Sequence, residues 1–490
     1  MAASIRIQGP YLERKGGGMV GIVSYGAYAP FYRLKREEIA KAWGGASIGG
    51  EKAVANFDED SITMAVAAAM DCLKGAKRDE IDVLYLATTT SPYKEKQAAA
   101  VVAGALDLPR GVLTGDFTGS LRVATIALRA AIDAVKAGSA RNVLVVASEC
   151  RLGTPGSDLE QLFGDGAAAF LIGGSGVIAE IEGAHTHFDE IIDLWRTVDD
   201  DFVKSWEDRF VLDKGYSLNV KEAVSAIMRT QNLGPSDLAK AVFYTPDARR
   251  HVEMAKKLGF DPKMQLQDPM FAQLGNTGAA FALMMLAAAL DEAEPGNRIL
   301  LANYGDGCDA YIFRTTDAIK GFTGPRGIKG HLESKGTLRS YGQYVRYRQL
   351  MPVETGRRRP APVSSAVTLW RDRQMLLSLK GAKCNGCGRL FFPPQRVCVY
   401  CQAKDNYEMV GLSGMKGDLY TFNKDQLAFT LDPPLVLSVV NLEGGCRFYS
   451  QMTDRDPEKI QIGMTVEPTF RKMHEAEGYH NYFWKCRPLR

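Results

Sequence analysis

The sequence predicts an α/β chain in which a layered core is built twice over, followed by a small cysteine-bound knuckle and an all-β tail. Three observations predict it. Apolar strands and Ala-rich helices alternate from about residue 19 to 325, and the second half of that region replays the first. Beyond residue 380, short β-rich runs follow a pair of CxxC motifs. At 490 residues the chain is too long for one core, so several folding units are expected.

Residues 1–18 read as a leader without the apolar run of a signal peptide, ahead of a first strand near Met19–Ser24. IDVLYLATTT (81–90) is a continuous apolar strand and QAAAVVAGALDL (97–108) a helix. GVLTGDF reads as a strand, LRVATIALRAAIDAVKAG (121–138) as an Ala-rich helix closed by Gly138, and NVLVVASE (142–149) as a buried strand. GDGAAAFLIGG and VIAEIEGAHTHF read as paired strands, with GGSG (173–176) as their hairpin turn. A helix at 219–232 and the strand KAVFYTP (240–246) follow. GAAFALMMLAAALDEA (278–293) then leads into NRILLANYGDG (297–307), much as the earlier Ala-rich helix leads into NVLVVASE. The duplicated region, 19–325, divides into halves at about 19–175 and 176–325.

Residues 326–380 form a basic linker holding one or two helices, 381–402 the cysteine knuckle, and 403–490 a small β-barrel. Cys384-x2-Cys387 and Cys398-x2-Cys401, ten residues apart, set four thiolates around one centre. The metal expected is structural Zn2+, with iron in a rubredoxin-like S4 site as the other choice. The remaining cysteines, Cys72, Cys150, Cys308, Cys446 and Cys486, are scattered, and a disulfide framework is not expected. A net charge of +3 gives no reason to invoke nucleic acid, and no run approaches the ~18 apolar residues of a membrane span. The expected location is cytoplasmic, away from membranes.

MVGIVSYGAYAPFYRLKREEIAKAWG, FGDGAAAFLIGG (163–174), VFYTPD (242–247) and LGNTGAA (274–280) resemble the thiolase superfamily. Within it the likeness is to 3-hydroxy-3-methylglutaryl-CoA synthase and ketoacyl synthase III, over roughly 19–320. The resemblance implies a five-layered αβαβα thiolase fold, a homodimer, and acyl-CoA thioesters as substrates. Residues 333–490 resemble the DUF35 family, a rubredoxin-like zinc ribbon followed by an OB-fold that partners thiolase-like proteins. The OB-fold shows no basic-aromatic stripe for nucleic acid, and it is expected to cover the acyl tunnel or complete the dimer.

Condensing members of the superfamily use a Cys, a His and a Glu or Asn. On DFTGSL the cysteine position falls on Leu121, next to Ser120. The His of F-H-x-P-N becomes Tyr244, the synthase Glu becomes Thr89, and the Asn of G-N-T remains as Asn276. Leucine has no nucleophilic lone pair. Tyrosine is a weaker base than histidine, with unperturbed pKa values of about 10 and about 6.5.

The leading expectation is therefore an aldolase or retro-aldolase acting on a β-hydroxyacyl-CoA without an acyl-cysteine. This resembles thiolase-like retro-aldolases of steroid side-chain degradation. Tyr244 would be the general acid/base and Asn276 an oxyanion-hole donor, with Tyr304 or Tyr344 as the second tyrosine. The alternatives are a Claisen-type synthase relying on Cys308 or Ser120, and a non-catalytic scaffold. For the CoA moiety the candidates are Trp195 and Arg196 of DLWR, Lys256 and Arg357–Arg359. Ser120 and Leu121 border the acyl group. His185-x-His187 reads as a strand face.

Overall fold

A strand that is apolar on both faces has to be covered on both. Asn142–Glu149 is buried from its second residue to its last and lies inside a nine-stranded mixed sheet. In the computed structural model residues 18–352, 354 and 362–490 are described. The expected leader (apart from Gly18) and Arg357–Arg359 lie outside the described residues.

The strands of this sheet are β1 (Gly21–Tyr28), β2 (Val83–Ala87), β3 (Leu113–Phe117), β4 (Asn142–Glu149), β5 (Gly166–Gly173), β6 (Ala179–Phe188), β7 (Lys240–Phe243), β8 (Arg298–Tyr304) and β9 (Gly307–Thr315). Their order is β7-β8-β9-β6-β1-β5-β4-β2-β3. Read from its two ends, the sheet gives the same pattern. β2 runs parallel to β4, β4 antiparallel to β5, and β5 antiparallel to β1. Likewise β7 runs parallel to β8, β8 antiparallel to β9, and β9 antiparallel to β6. Outside β2 lies parallel β3, and outside β7 a parallel bridge at Leu266. Within this sheet the halves meet through two residue pairs, Gly21↔Glu180 and Ile22↔Ala179.

One expectation is corrected here. GDGAAAFLIGG and VIAEIEGAHTHF form β5 and β6, which do not pair with each other; each pairs with β1. GGSG is a crossing between the halves rather than a hairpin turn, because each half completes its own set of strands first.

The helices α1 (Ser61–Cys72), α2 (Val123–Lys136), α3 (Leu218–Gln231) and α4 (Phe281–Asp291) pack on these strands. α4 is buried at every position from Phe281 to Leu290, as a helix apolar all round must be. Alanine at four of those ten positions lets neighbouring layers approach closely. α2 instead shows solvent a polar side, where Arg129 pairs with Asp133 at 2.8 Å. The halves thus share a topology but not a level of burial.

Beyond the core, β10 (Lys380–Cys384), β11 (Leu390–Phe391) and β12 (Tyr407–Gly411) make a three-stranded ribbon. Because β12 pairs with β10 from Lys380↔Gly411 to Cys384↔Tyr407, the ribbon runs past residue 402. Five strands, Gly417–Asp425, Leu435–Leu442, Arg447–Gln451, Thr465–Ala476 and Tyr479–Pro488, form the final sheet. It docks on the core through buried charge. Arg471 reaches Glu59 and Asp454 at 2.5 Å and Asp58 at 3.5 Å, and Lys485 meets Asp58 at 2.8 Å. Asp60, which caps α1 through Thr63 N, also accepts from Tyr482 at 2.7 Å. Removing one member of such a cluster would strand a charge away from water. Among the described residues no helix is long and apolar enough to cross a membrane.

Candidate active site

The chain turns out of β7 at Tyr244, out of β8 after Tyr304, and into α4 just after Asn276. All three residues line one pocket of about 500 Å3, together with Asp193, Tyr216, Leu162, Phe163 and Pro246. Two glycine-containing motifs build its floor. FGDG and LGNTG run side by side, with Asn276 N donating to Leu162 O at 2.8 Å and Gly164 N to Asn276 O at 3.0 Å. A Cβ on Gly164 would lie 1.8 Å from the Leu274 carbonyl oxygen, so only glycine fits there.

The Asn276 amide has its orientation fixed at both ends. Its Nδ2 donates to Thr245 O at 3.0 Å and to the Tyr244 hydroxyl at 3.2 Å. Its Oδ1 accepts from Gly278 N at 2.9 Å and from Arg151 Nη2 at 3.3 Å. Tyr244 is thus an acceptor from Asn276, and its own proton remains free to donate. Burial pushes the Tyr244 phenol up, an effect partly offset by the Arg151 guanidinium. Arg151 is itself buried, stacked at 4.2 Å on the Phe163 ring, and no carboxylate lies within 4.0 Å of it among the described residues. Its Nε has no hydrogen-bond partner.

Across the pocket, burial raises the Asp193 carboxyl above the usual carboxylate range. Burial and then the Asp193 charge push the Tyr304 phenol up. The hydroxyls of Tyr304 and Tyr216 are buried without hydrogen-bond partners. A buried polar group left unpaired is costly, and several facing one cavity are what a ligand-shaped gap leaves behind.

The structure therefore brings together three of the four expected catalytic residues and separates the fourth. Tyr344 lies in another cluster with Tyr32, Leu34 and Tyr347, where its ring faces Lys52 Nζ at 5.0 Å. It sits on helix Tyr341–Tyr347, whose buried side packs on the strands Tyr32–Lys35 and Glu51–Val54, so it does not reach the pocket.

Ser120 and Leu121 do not line the pocket either. Leu121 packs against the core from outside, and its carbonyl accepts from Asn303 Nδ2 at 3.3 Å. Gly305 presses on the same turn, where a Cβ would meet Ser120 Oγ at 2.8 Å. The Ser120 hydroxyl accepts from Arg122 N at 3.4 Å, next to the start of α2. Cys308 is wholly buried within β9, burial holds its thiol well above the usual range, and it does not line the pocket.

Among the expected CoA contacts, Leu194 reaches the pocket while Trp195 lies on a two-stranded ribbon opposite Lys204. Arg196 Nη2 donates to Thr89 O at 2.6 Å, and Lys256 is exposed near the end of helix Ala248–Lys257. His187 bonds Asn219 Oδ1 at 2.7 Å on a strand face, as expected.

Sequence reasoning missed Asp193, Arg151 and Glu149. Asp193 begins the DLWR element already singled out for its next residues. Glu149 and Arg151 stand where the apolar run NVLVVASE ends, and charge at the end of a buried strand is the signal that would have found them. Thr89, at the position of the family's glutamate, donates through N and Oγ1 to Glu149 Oε2 at 3.1 and 3.0 Å. A carboxylate is therefore present beside that position, carried by a neighbouring strand.

In the ribbon the four sulfurs of Cys384, Cys387, Cys398 and Cys401 lie within 4.8 Å of one another. Cys384–Cys401 and Cys387–Cys398 are 3.6 and 3.7 Å apart. A tetrahedral ion with Zn–S bonds of about 2.3 Å requires edges of about 3.8 Å, so the cage fits Zn2+ with all four positions taken.

The family model for 3-oxoacyl-[acyl-carrier-protein] synthase III matches residues 116–189, and that for its C-terminal part matches 228–313. The models for the ChsH2 rubredoxin-like zinc ribbon and the ChsH2 C-terminal OB-fold match 377–408 and 410–471. A hydroxymethylglutaryl-CoA synthase of Caldivirga maquilingensis is 34% identical over 349 residues, 69% of this chain and 99% of that protein. One from Pyrococcus furiosus is 34% identical over 308 residues, 61% of this chain and 88% of that protein. Among solved structures, an HMG-CoA synthase complexed with CoA shares the fold with a TM-score of 0.62 at 20% identity, covering 71% of this chain and 94% of that one. With its thiolase-type core and the ribbon and OB-fold that follow, the chain belongs to the hydroxymethylglutaryl-CoA synthase family, extended by ChsH2-type domains.

Proposed function

We propose that this protein is a C–C-bond-forming synthase acting on acyl-CoA, which adds the α-carbon of an acyl thioester to a carbonyl carbon without an acyl-cysteine and with the thioester bond left intact. The hydrogen-bonded Tyr244–Asn276 pair, sharing a pocket with Asp193, carries the reading. Asp193, a stronger base than an ordinary carboxylate because it is buried, takes the α-proton. The enolate electrons form the new C–C bond, and the carbonyl π pair moves to oxygen. That oxygen takes the proton of Tyr244, which burial keeps protonated at neutral pH. The phenolate left behind is stabilised by Asn276 Nδ2–H and by the Arg151 charge. Proton exchange with solvent resets both groups.

The names of the relatives favour this condensing direction over the cleavage expected from the tyrosine alone. The hydrocarbon at Leu121 accords with the same atoms run in reverse, a retro-aldol cleavage, and that is the second reading. Zn2+ in the ribbon has a structural role. The uncovered edge strand β3, with Leu113 exposed, supports pairing with a second copy.

The experiment supplies an acyl-CoA with a ketone-bearing acyl-CoA, or a β-hydroxyacyl-CoA alone, and follows products by mass. A joined product at the faster initial rate is expected. Carbonyl fragments from the second arm alone would replace addition by cleavage. A stable acyl adduct on the protein would overturn the non-covalent step.

A further inference from the structure

A second cavity, of about 610 Å3, lies between the core, the linker and the OB-fold, and nothing in the synthase reading uses it. Six cations line it. Lys74 and Arg78 come from the core, Arg326 from the linker, and Lys416, Arg487 and Arg490 from the OB-fold side. Three acids answer two of them. Asp71 pairs with Lys74 at 2.6 Å, and Arg487 pairs with Glu467 at 2.8 Å and with Asp454 at 3.7 Å. Among the described residues no carboxylate lies within 4.0 Å of the side-chain nitrogens of Arg78, Arg326, Lys416 or Arg490, and at Arg326 it is the backbone N that donates to Asp71, at 2.8 Å. Arg78 and Arg326 donate to the carbonyls of Leu106 and Gly330 instead, which satisfies hydrogens but not charge.

Among these cations sits His331, 3% exposed, with both ring nitrogens unpartnered. Burial and the surrounding guanidinium groups hold its imidazole well below the usual range, so the ring is neutral. A neutral ring keeps one N–H to donate. The Arg326 guanidinium is pushed down to about 10 by burial and by Arg490 and Arg487. Like charges crowded in a concave, low-dielectric cavity repel one another and focus a positive field, and an incoming anion relieves both.

We propose that this junction is a binding site for a small phosphate-bearing anion. Arg326, Lys416 and Arg78 supply charge to the phosphate oxygens and His331 donates a hydrogen bond. Because its walls come from three segments, an occupant ties the OB-fold to the core. The chemistry is that of a diphosphate or phosphomonoester, whether from a free nucleotide or from the adenosine 3′-phosphate end of a CoA molecule.

The test is calorimetric titration of the full chain with pyrophosphate, and in separate arms with ADP and adenosine 3′,5′-bisphosphate. The comparison variants are Lys416→Gln, at an exposed position, Arg326→Gln, and Tyr244→Phe in the acyl pocket. Saturable pyrophosphate binding is expected, weakened tenfold or more by Lys416→Gln and Arg326→Gln and unchanged by Tyr244→Phe. Tighter binding of the 3′,5′-bisphosphate than of ADP assigns the CoA end, and the reverse assigns a free nucleotide. No saturable heat to ~1 mM pyrophosphate, binding unaffected by Lys416→Gln with its fold verified by circular dichroism, or loss in Tyr244→Phe alone would overturn the proposal.

Discussion

The two halves of the duplicated core present equivalent positions with opposite chemistry. β2 in the first half corresponds to β7 in the second, β4 to β8, and the start of α2 to the start of α4. At these places the first half carries Thr89, Glu149 and Leu121, and the second carries Tyr244, Tyr304 and Asn276. Only the second set lines the pocket. The first set is turned to support, with Thr89 bonded to Glu149 and Leu121 held by Asn303. The difference teaches that a duplicated scaffold keeps its topology through apolar periodicity, while each half's loop ends are free to take different roles. Arg151 crosses the divide: it follows a first-half strand but bonds Asn276 of the second.

The sharpest way to break this comparison is to substitute equivalent positions. Tyr244→Phe should lower turnover by about 10²–10⁴-fold, and Thr89→Val by less than ~10-fold, since it loses a hydrogen bond away from the reacting atoms. Product formation under identical conditions decides it, and equal losses would erase the distinction between the halves.

A smaller effect concerns acid stability. All histidines of the core lie in its second half, and His251 is buried under β7 with both nitrogens unpartnered, its pKa pushed down to about 4 by burial. The unfolded imidazole binds its proton near pH 6.5 and the folded one does not. This contribution is complete above about pH 6.5 and is lost progressively as the pH falls towards 4, by up to ~3 kcal/mol. Denaturant unfolding of the native chain and His251→Leu should diverge over that range, the variant showing the shallower slope.

The smallest expected change comes from Gly278→Ala. The residue has φ +57°, and a Cβ would meet Glu149 Cγ at 2.5 Å and Arg151 Nε at 2.9 Å. A loss of about 1–3 kcal/mol is expected from strain and displacement, with turnover falling as Arg151 shifts. Unchanged melting would show that the two halves are not in register at this seam.

Much of this was legible in the sequence because it is local. Asn142–Glu149 was readable to the residue, since six apolar or small residues between a polar start and a charged end leave one solution. Tyr244 and Asn276 were readable because each follows directly from a short motif at the end of its strand or the start of its helix. Asp193 was half-legible, lying in an element noticed for its neighbours. Tyr344 has the same phenol, but its helix packs in a separate cluster away from the pocket, which its local sequence does not record. The pairing of β5 with β6 misled because a Gly-rich turn between two strands gives the same signal whether the chain folds back or crosses to a second unit.

The sequence by itself determined the repeat, the ribbon and the residue types of the Tyr244–Asn276 pair, because periodicity, the spacing of four cysteines and motif neighbours act over a few residues of chain. Tertiary structure decided which side chains meet. Asp193, Arg151 and Tyr244 are far apart along the chain and come together only when strands from both halves bring their ends to one rim. The unanswered charges around His331 depend on three segments folding against one another, and no local pattern records that.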